Sequence, residues 1–375
     1  MYIQSANQIS VQKPLSDEWF DNPVFYEDKR VPTIDPDYKE HFPPLVARRM
    51  CVLLKRAVLM SRLTLKEASV EMPDAIISGT GLGCIDNTEK FIYSIMDNEE
   101  KFLQPTFFMQ STHNIISSTI AIDLKCHGYN NTFVHRWASF ENALLDALMQ
   151  FGQGRIQTAL VGGYDELTND YYKFFDRLGL WNFAEGMSPV KRCFAGEASI
   201  NMLLGATKNE QTICEISDVE LLYNPTHEQI SKTLDTMFER AGCTLSDIDA
   251  VMTGLSTLAE NDKVYYDVIG KHFGDRPIMQ YKHLFGESFS ASAIGTYAAM
   301  TCLRRGRIPS FMLVDKGSIN ESFAVTGNNA TPDWSPKATV STGGQSDING
   351  VKRILVYNHH SNKPHSFILL SSCLN

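Results

Sequence analysis

The 375-residue sequence contains no apolar run long enough to cross a bilayer, so no membrane-spanning helix is expected. Its first residues, MYIQSANQIS, lack a basic stretch followed by an apolar core, and no secretory signal is expected. None of the cysteines lies in a CxxC pair or in a framework spacing, which suits free, mostly buried thiols in a reducing cytoplasm. Positive charge is in deficit: a net charge of −9 argues against nucleic acid or an anionic membrane as partner. Nucleotide fingerprints are missing as well. Gly79-Thr80-Gly81-Leu82-Gly83 is GxGxG rather than GxGxxG, and no Lys-Ser/Thr pair follows, so these glycines serve a tight strand-to-helix turn.

What is present is a chain long enough for a large core, built as one big domain or two fused halves. Residues 2–5 read as a strand, and residues 11–44, rich in Pro, Asp, Tyr and Glu, as a surface-wrapping segment. Residues 46–60 read as a helix with Met50, Leu53, Leu54, Ala57 and Val58 on one face. Thr64-Leu65-Lys66-Glu67 fits a capping box that would start another helix. A buried strand at 74–78 follows. Further on, a strand at 199–204 and one at 214–222, joined by the polar linker 208–212, are expected to pair. Residues 316–350 turn polar and read as a long surface excursion. A last hairpin comprises 353–357, a turn at 358–365, and 367–371.

The second half repeats the first. Asp249-Ala250-Val251-Met252-Thr253-Gly254 echoes Asp74-Ala75-Ile76-Ile77-Ser78-Gly79. Gly306-Arg307-Ile308 echoes Gly154-Arg155-Ile156, and the strand at 353–357 echoes that at 158–161. Unequal loops between these echoes indicate an old duplication rather than a repeat array.

The most informative stretch is 128–166. It reads as a strand (132–134), a tight turn at 135–137, a helix with Phe140, Ala143, Leu144, Ala147 and Leu148 on one face, and a strand (158–161) ending in Gly162-Gly163. A strand that breaks into a buried helix presents one residue at the helix start, where backbone N–H groups favour an anion or a thiolate. Here that residue is Trp137, and indole offers one N–H donor and no ionisable nucleophile.

This segment resembles the nucleophile elbow of the β-ketoacyl-ACP synthases, which have the thiolase-like fold. Aligned on Gly128, Ala143 and Gly162-Gly163, the family's catalytic cysteine falls on Trp137. The family's xHGTxT loop is similar to Thr253-Gly254-Leu255-Ser256-Thr257, with Thr253 in the place of the histidine. Its second loop, a lysine followed by Gly-His and a small-residue helix, is similar to Lys282–Phe285, Gly286-Glu287 and Ser290-Ala291-Ser292-Ala293-Ile294-Gly295. Glu287 replaces the second histidine and Lys282 is retained. The resemblance implies an α/β, five-layer α-β-α-β-α architecture of two duplicated βα-rich halves, residues 1–212 and 213–375.

It also implies that no catalytic residue remains. Tryptophan cannot be acylated, threonine has no basic nitrogen, and a carboxylate would repel the carboxylate of a malonyl group. The family's glycine-rich closing loop is replaced by residues 358–365. Other reactive side chains read as structural. Cys126 and His127 are neighbours that point to opposite faces. His113 reads as a buried, hydrogen-bonded histidine, and His283 flanks Lys282 with nothing requiring it to turn inward. His359, His360 and His365 match no strong metal signature and read as a solvated turn. No metal and no cofactor are expected.

Within this family some members keep the fold, lose the cysteine, and pair with an active ketosynthase as chain-length factors in polyketide or aryl polyene assembly. By resemblance, this chain would be such a subunit, with an active ketosynthase and the phosphopantetheine-linked acyl chain of an acyl carrier protein as partners. Phe107, Phe108, Met109 and Thr112 would then close the end of an acyl tunnel, unless they are plain core residues. The strand at 132–134 would pair with its counterpart in the partner. The alternative is an active β-ketoacyl-ACP synthase or acyltransferase with a non-standard nucleophile.

Overall fold

The computed structural model describes residues 1–181, 192–314 and 346–373. The expected excursion at 316–350 lies, up to residue 345, outside the described residues. The strands are β1 (Tyr2–Ile9), β2 (Ala75–Gly79), β3 (Tyr129–Phe133), β4 (Thr158–Tyr164), β5 (Ser199–Gly205), β6 (Cys214–Tyr223), β7 (Ala250–Thr253), β8 (Ile278–Gln280), β9 (Arg307–Ile308), β10 (Ile348–Asn349), β11 (Arg353–His359) and β12 (Pro364–Ser372). The helices are α1 (Pro44–Ala47), α2 (Val52–Glu67), α3 (Ile85–Asp97), α4 (Pro105–Gln110), α5 (Ile115–Leu124), α6 (Ser139–Gly152), α7 (Asn169–Arg177), α8 (His227–Arg240), α9 (Ala259–His272), α10 (Lys282–Phe285) and α11 (Ala291–Arg305). No helix among the described residues is long and apolar enough to cross a membrane.

Ten strands follow in the order β3-β2-β4-β5-β1-β6-β12-β11-β7-β8. From each outer edge inwards the pattern is the same: a third strand parallel to a second, the second parallel to a fourth, the fourth antiparallel to a fifth, the fifth antiparallel to the first. The two first strands, β1 and β6, meet at a short seam, Tyr2 opposite Glu215 and Ile3 opposite Cys214.

The echoes seen in the sequence occupy equivalent places. The Asp74 carboxylate accepts the N–H groups of Gln157 and Thr158 at 2.8 and 3.0 Å, clamping β2 to the start of β4. Asp249 does the same for Lys352 and Arg353 at 2.6 and 2.8 Å, clamping β7 to β11. Gly154 and Gly306, which follow α6 and α11, both have left-handed backbones, with φ of +65° and +61°. A residue without a Cβ is favoured there, and each glycine turns the chain back into a strand.

α6 and α11 pack against strands of both halves and form the middle layer. In α11 every residue from Ala291 to Leu303 is buried. Its Ala, Ser and Gly residues let backbones approach closely, and a helix apolar on all sides belongs inside. α2 and α5 cover the outer face of the first half through Leu53, Leu54, Ala57, Val58 and Ile120. α8 and α9 cover the second through Ile230, Leu234, Tyr265 and Val268.

Several expectations change. α2 runs unbroken from Val52 to Glu67. Thr64 is not a cap, because no Gly or Pro stops the helix before it, and its hydroxyl accepts from Asn7 Nδ2 at 3.2 Å. β6 pairs with β1 and β12 rather than with β5, whose two edges are taken by β4 and β1. β1 extends to Ile9, and β3 ends at Phe133, before Val134. In the last hairpin the ladder reaches His359 opposite His365, so the turn is far shorter than 358–365.

Candidate functional site

The elbow is held from three sides. After β3 the chain makes a single 3-10 turn at Arg136–Ala138, with Arg136 left-handed at φ +52°, and enters α6. The Ser139 hydroxyl accepts from the His135 N–H at 2.8 Å and lies 2.9 Å from the Thr80 carbonyl, to which it can donate. Gly79 makes this approach possible, because a Cβ there would sit 2.6 Å from the Ser139 and Phe140 backbone.

Trp137 projects from this turn. Its ring stacks on His360 with centroids 3.3 Å apart and 6° between planes, and packs on Phe289 at 4.3 Å. Beneath it lies a pocket lined by Glu141, Tyr281, Lys282, Glu287, Asn358 and His359, among others. Its cavity of about 20 Å³ has room for about one water molecule and none for an acyl chain.

Lys282 and Glu287 form a buried ion pair, Nζ to Oε2 2.6 Å, with side chains only 5% and 4% exposed. Glu287 is fixed further by its backbone, which donates to the Phe194 carbonyl at 2.7 Å and accepts from Gly196 at 3.0 Å. The segment Phe194–Gly196 is thus the strap behind Glu287. Thr253 is buried at the end of β7, its hydroxyl donating to the Met279 carbonyl at 2.8 Å, and it does not line the pocket. The neighbouring Gly254 backs onto Lys282, whose Nζ would be 3.1 Å from a Cβ there. Trp137, Lys282 and Glu287 are therefore brought together, while Thr253 stands behind the lysine.

The histidines require corrections. His359 and His365 face each other in the β11/β12 ladder and are buried, so the solvated-turn reading fails for them. His360, half-buried, is the stacking partner of Trp137. Burial, with Lys282 and Arg136 nearby, pushes its imidazole down to about 3, and burial pushes His365 down to about 4. His283 is buried against Phe25 rather than in the pocket, and burial takes it to about 3. His113 is exposed, against the expectation of a buried histidine, and lies over Gly83. Cys126 is buried and donates to the Pro73 carbonyl at 3.3 Å, while His127 is exposed. No group of three metal-ligating side chains occurs among the described residues.

Sequence reasoning missed His360 and Phe289 as the two walls around Trp137. The available signal was alternation: extending the hairpin by two residues pairs His359 with His365 and leaves His360 at the tip. Phe107, Phe108, Met109 and Thr112 are not core residues. They lie on α4 and the turn after it, with Phe108 and Met109 each 57% exposed, away from the Trp137 pocket.

Neutral His360 carries a pH signature. Unfolded, its pKa is near 6.5; folded, about 3. The unfolded chain therefore binds the extra proton between these values, and stability falls as pH drops through that window. The buried acids act oppositely at higher pH: burial raises Asp165 and Asp262 to about 7 and Glu166 to about 8, so the folded state gains as pH falls from there. Replacing His360 with Asn is expected to reduce the slope of unfolding free energy against pH by about 1.4 kcal/mol per unit between roughly pH 5.5 and 4. Urea unfolding at a series of pH values reads this directly, and an unchanged slope would mean that His360 titrates freely.

The sequence model described as β-ketoacyl synthase, N-terminal domain, matches residues 17–229. The chain belongs to the β-ketoacyl synthase family. Among solved structures, this β-ketoacyl synthase family member is similar to the ishigamide ketosynthase/chain length factor, with TM-score 0.75, 17% identity, and coverage of 99% of this chain and 98% of that one. It is similar to a β-ketoacyl synthase from Burkholderia phymatum STM815, with TM-score 0.76, 14% identity, and coverage of 100% and 99%. It is also similar to the ketosynthase ApeO in complex with its chain length factor ApeC from Xenorhabdus doucetiae, with TM-score 0.73, 17% identity, and coverage of 99% and 98%. These likenesses establish the thiolase-like ketosynthase fold. A search among curated protein sequences finds no match.

Proposed function

We propose that this chain is a catalytically degenerate ketosynthase-like subunit, a chain-length factor. It would pair with an active ketosynthase and shape the acyl tunnel during polyketide, aryl polyene or fatty-acid-type chain elongation in the cytoplasm. One observation carries the reading: the elbow presents an indole, pressed between His360 and Phe289, over a space for about one water. At this pocket an acyl chain finds neither a nucleophile to bond nor room to enter, and the Lys282–Glu287 pair neutralises the lysine.

The partner's cysteine would carry the chain. Phe107, Phe108, Met109 and Thr112 would meet the acyl end, and β3 would pair edge to edge with the partner. Support comes from β3 lying at the end of the sheet and from exposed apolar side chains: Tyr129 on it, Val134 just after it, and Ile92, Met96, Phe108 and Met109 on α3 and α4. The division into halves at residues 212 and 213 belongs to the same proposal, supported by the repeated strand order.

Incubated alone with acyl-loaded carrier protein, the purified chain is expected to gain no acyl mass. Co-expressed with a ketosynthase bearing one cysteine and two histidines at the family positions, it is expected to copurify as a heterodimer. A covalent acyl adduct on the isolated chain, lost in a cysteine variant, would instead establish an enzyme with a non-standard nucleophile.

A further inference from the structure

Two histidines outside the elbow face each other across two helices, and neither the fold nor the proposed function uses them. His227 is the first residue of α8 and His272 the last of α9, the two helices that cover the outer face of the second half. Both rings are half-buried, so solvent reaches them. His227 Nδ1 lies 3.1 Å from His272 Nε2, and the rings are nearly parallel, with 20° between planes. On its far side His227 Nε2 lies 2.7 Å from Asp267 Oδ2. The other Asp267 oxygen faces Lys271 Nζ at 3.2 Å, so each oxygen has its own partner.

From this arrangement we infer that His227 and His272 form a binding site for one divalent transition-metal ion of the class that favours imidazole, zinc being its representative.

Zinc holds imidazole nitrogens at about 2.0–2.1 Å, which sets two nitrogens of a tetrahedral shell roughly 3.3–3.4 Å apart. The 3.1 Å pair needs to open by only about 0.3 Å to admit the ion. Asp267 fixes the tautomer: its carboxylate accepts the Nε2–H, which leaves Nδ1 of neutral His227 a bare lone pair facing His272. A carboxylate behind a ligating imidazole is the usual support of a bound metal, since it orients the ring and raises its basicity. Without metal, His272 Nε2–H donates to that lone pair. Binding puts the ion in place of this proton. His272 loses it from Nε2 and takes one up on Nδ1 from water, and both rings tilt so that their lone pairs converge. His272 closes α9, where the unpaired carbonyls of the last turn favour a cation. No third ligating side chain joins the pair among the described residues, so water fills the remaining positions. The ion would clip the start of α8 to the end of α9.

The full-length chain, titrated with zinc chloride in a calorimeter at neutral pH, is expected to bind one ion at this site. His227→Ala and His272→Ala should each remove that binding, and Asp267→Asn should weaken it by about 10–100-fold. Thermal melts check that each variant folds. A second measurement needs only the wild-type chain. Zinc should protect His227 and His272 from diethyl pyrocarbonate, mapped by peptide mass, while the exposed His113 and His127 react as before. Unaltered zinc binding in either histidine variant, or no selective protection of His227 and His272, overturns the assignment and leaves a plain hydrogen bond between two rings.

Discussion

Lys282→Met is expected to destabilise the protein by about 3–5 kcal/mol, because it strands the Glu287 carboxylate in the interior. The pair is 2.6 Å apart and almost wholly buried. Little water can reach either ion, and the Glu287 backbone is pinned to Phe194 and Gly196, which limits how far the side chain can move. The second half of the cycle gives the test its force. Combining Lys282→Met with Glu287→Leu removes both charges and is expected to return stability to within about 1–2 kcal/mol of wild type, or above it. Chemical denaturation of the single and double variants reads both numbers. A single variant costing under about 1 kcal/mol, or a double variant no better than the single, would show that the two groups do not depend on each other.

Trp137→Ala is expected to cost about 2–4 kcal/mol, the lower part of the range for removing a large aromatic ring, since this one is partly exposed. The loss comes from two packed faces, His360 at 3.3 Å and Phe289 at 4.3 Å. The variant also joins the vacated ring volume to the small pocket below, giving the site space it otherwise lacks. Under the proposed function, the heterodimer carrying this change is expected to be less stable and to release a changed distribution of chain lengths, measured by mass spectrometry of the products. Trp137→Phe should fall between. Unaltered stability together with unaltered products would remove the idea that the indole acts as a plug.

The elbow and the duplication were legible because backbone demands write themselves into residue type. Asp74 and Asp249 must accept two amides each, Gly154 and Gly306 must turn left-handed, and both requirements leave matching marks in the two halves. The histidine tip was misread because composition, not pairing, suggested a turn: Asn, His, Ser and Pro look solvated until the register sets His359 against His365. The partner of β6 was likewise invisible, since which free edge a strand finds depends on strands far away in sequence. The Lys282–Glu287 pair shows a further limit. The family resemblance sets a carboxylate where a histidine is expected, but only the fold reveals that it pairs with the neighbouring lysine.

The open flank of β3 has a consequence for how much of this polypeptide a cell can tolerate. Tyr129 and Val134 lie exposed on that strand and just beyond it, with Ile122 on the adjacent helix. Copies made in surplus of whatever caps that flank would meet one another edge to edge, so stoichiometric synthesis becomes a matter of keeping the protein in solution.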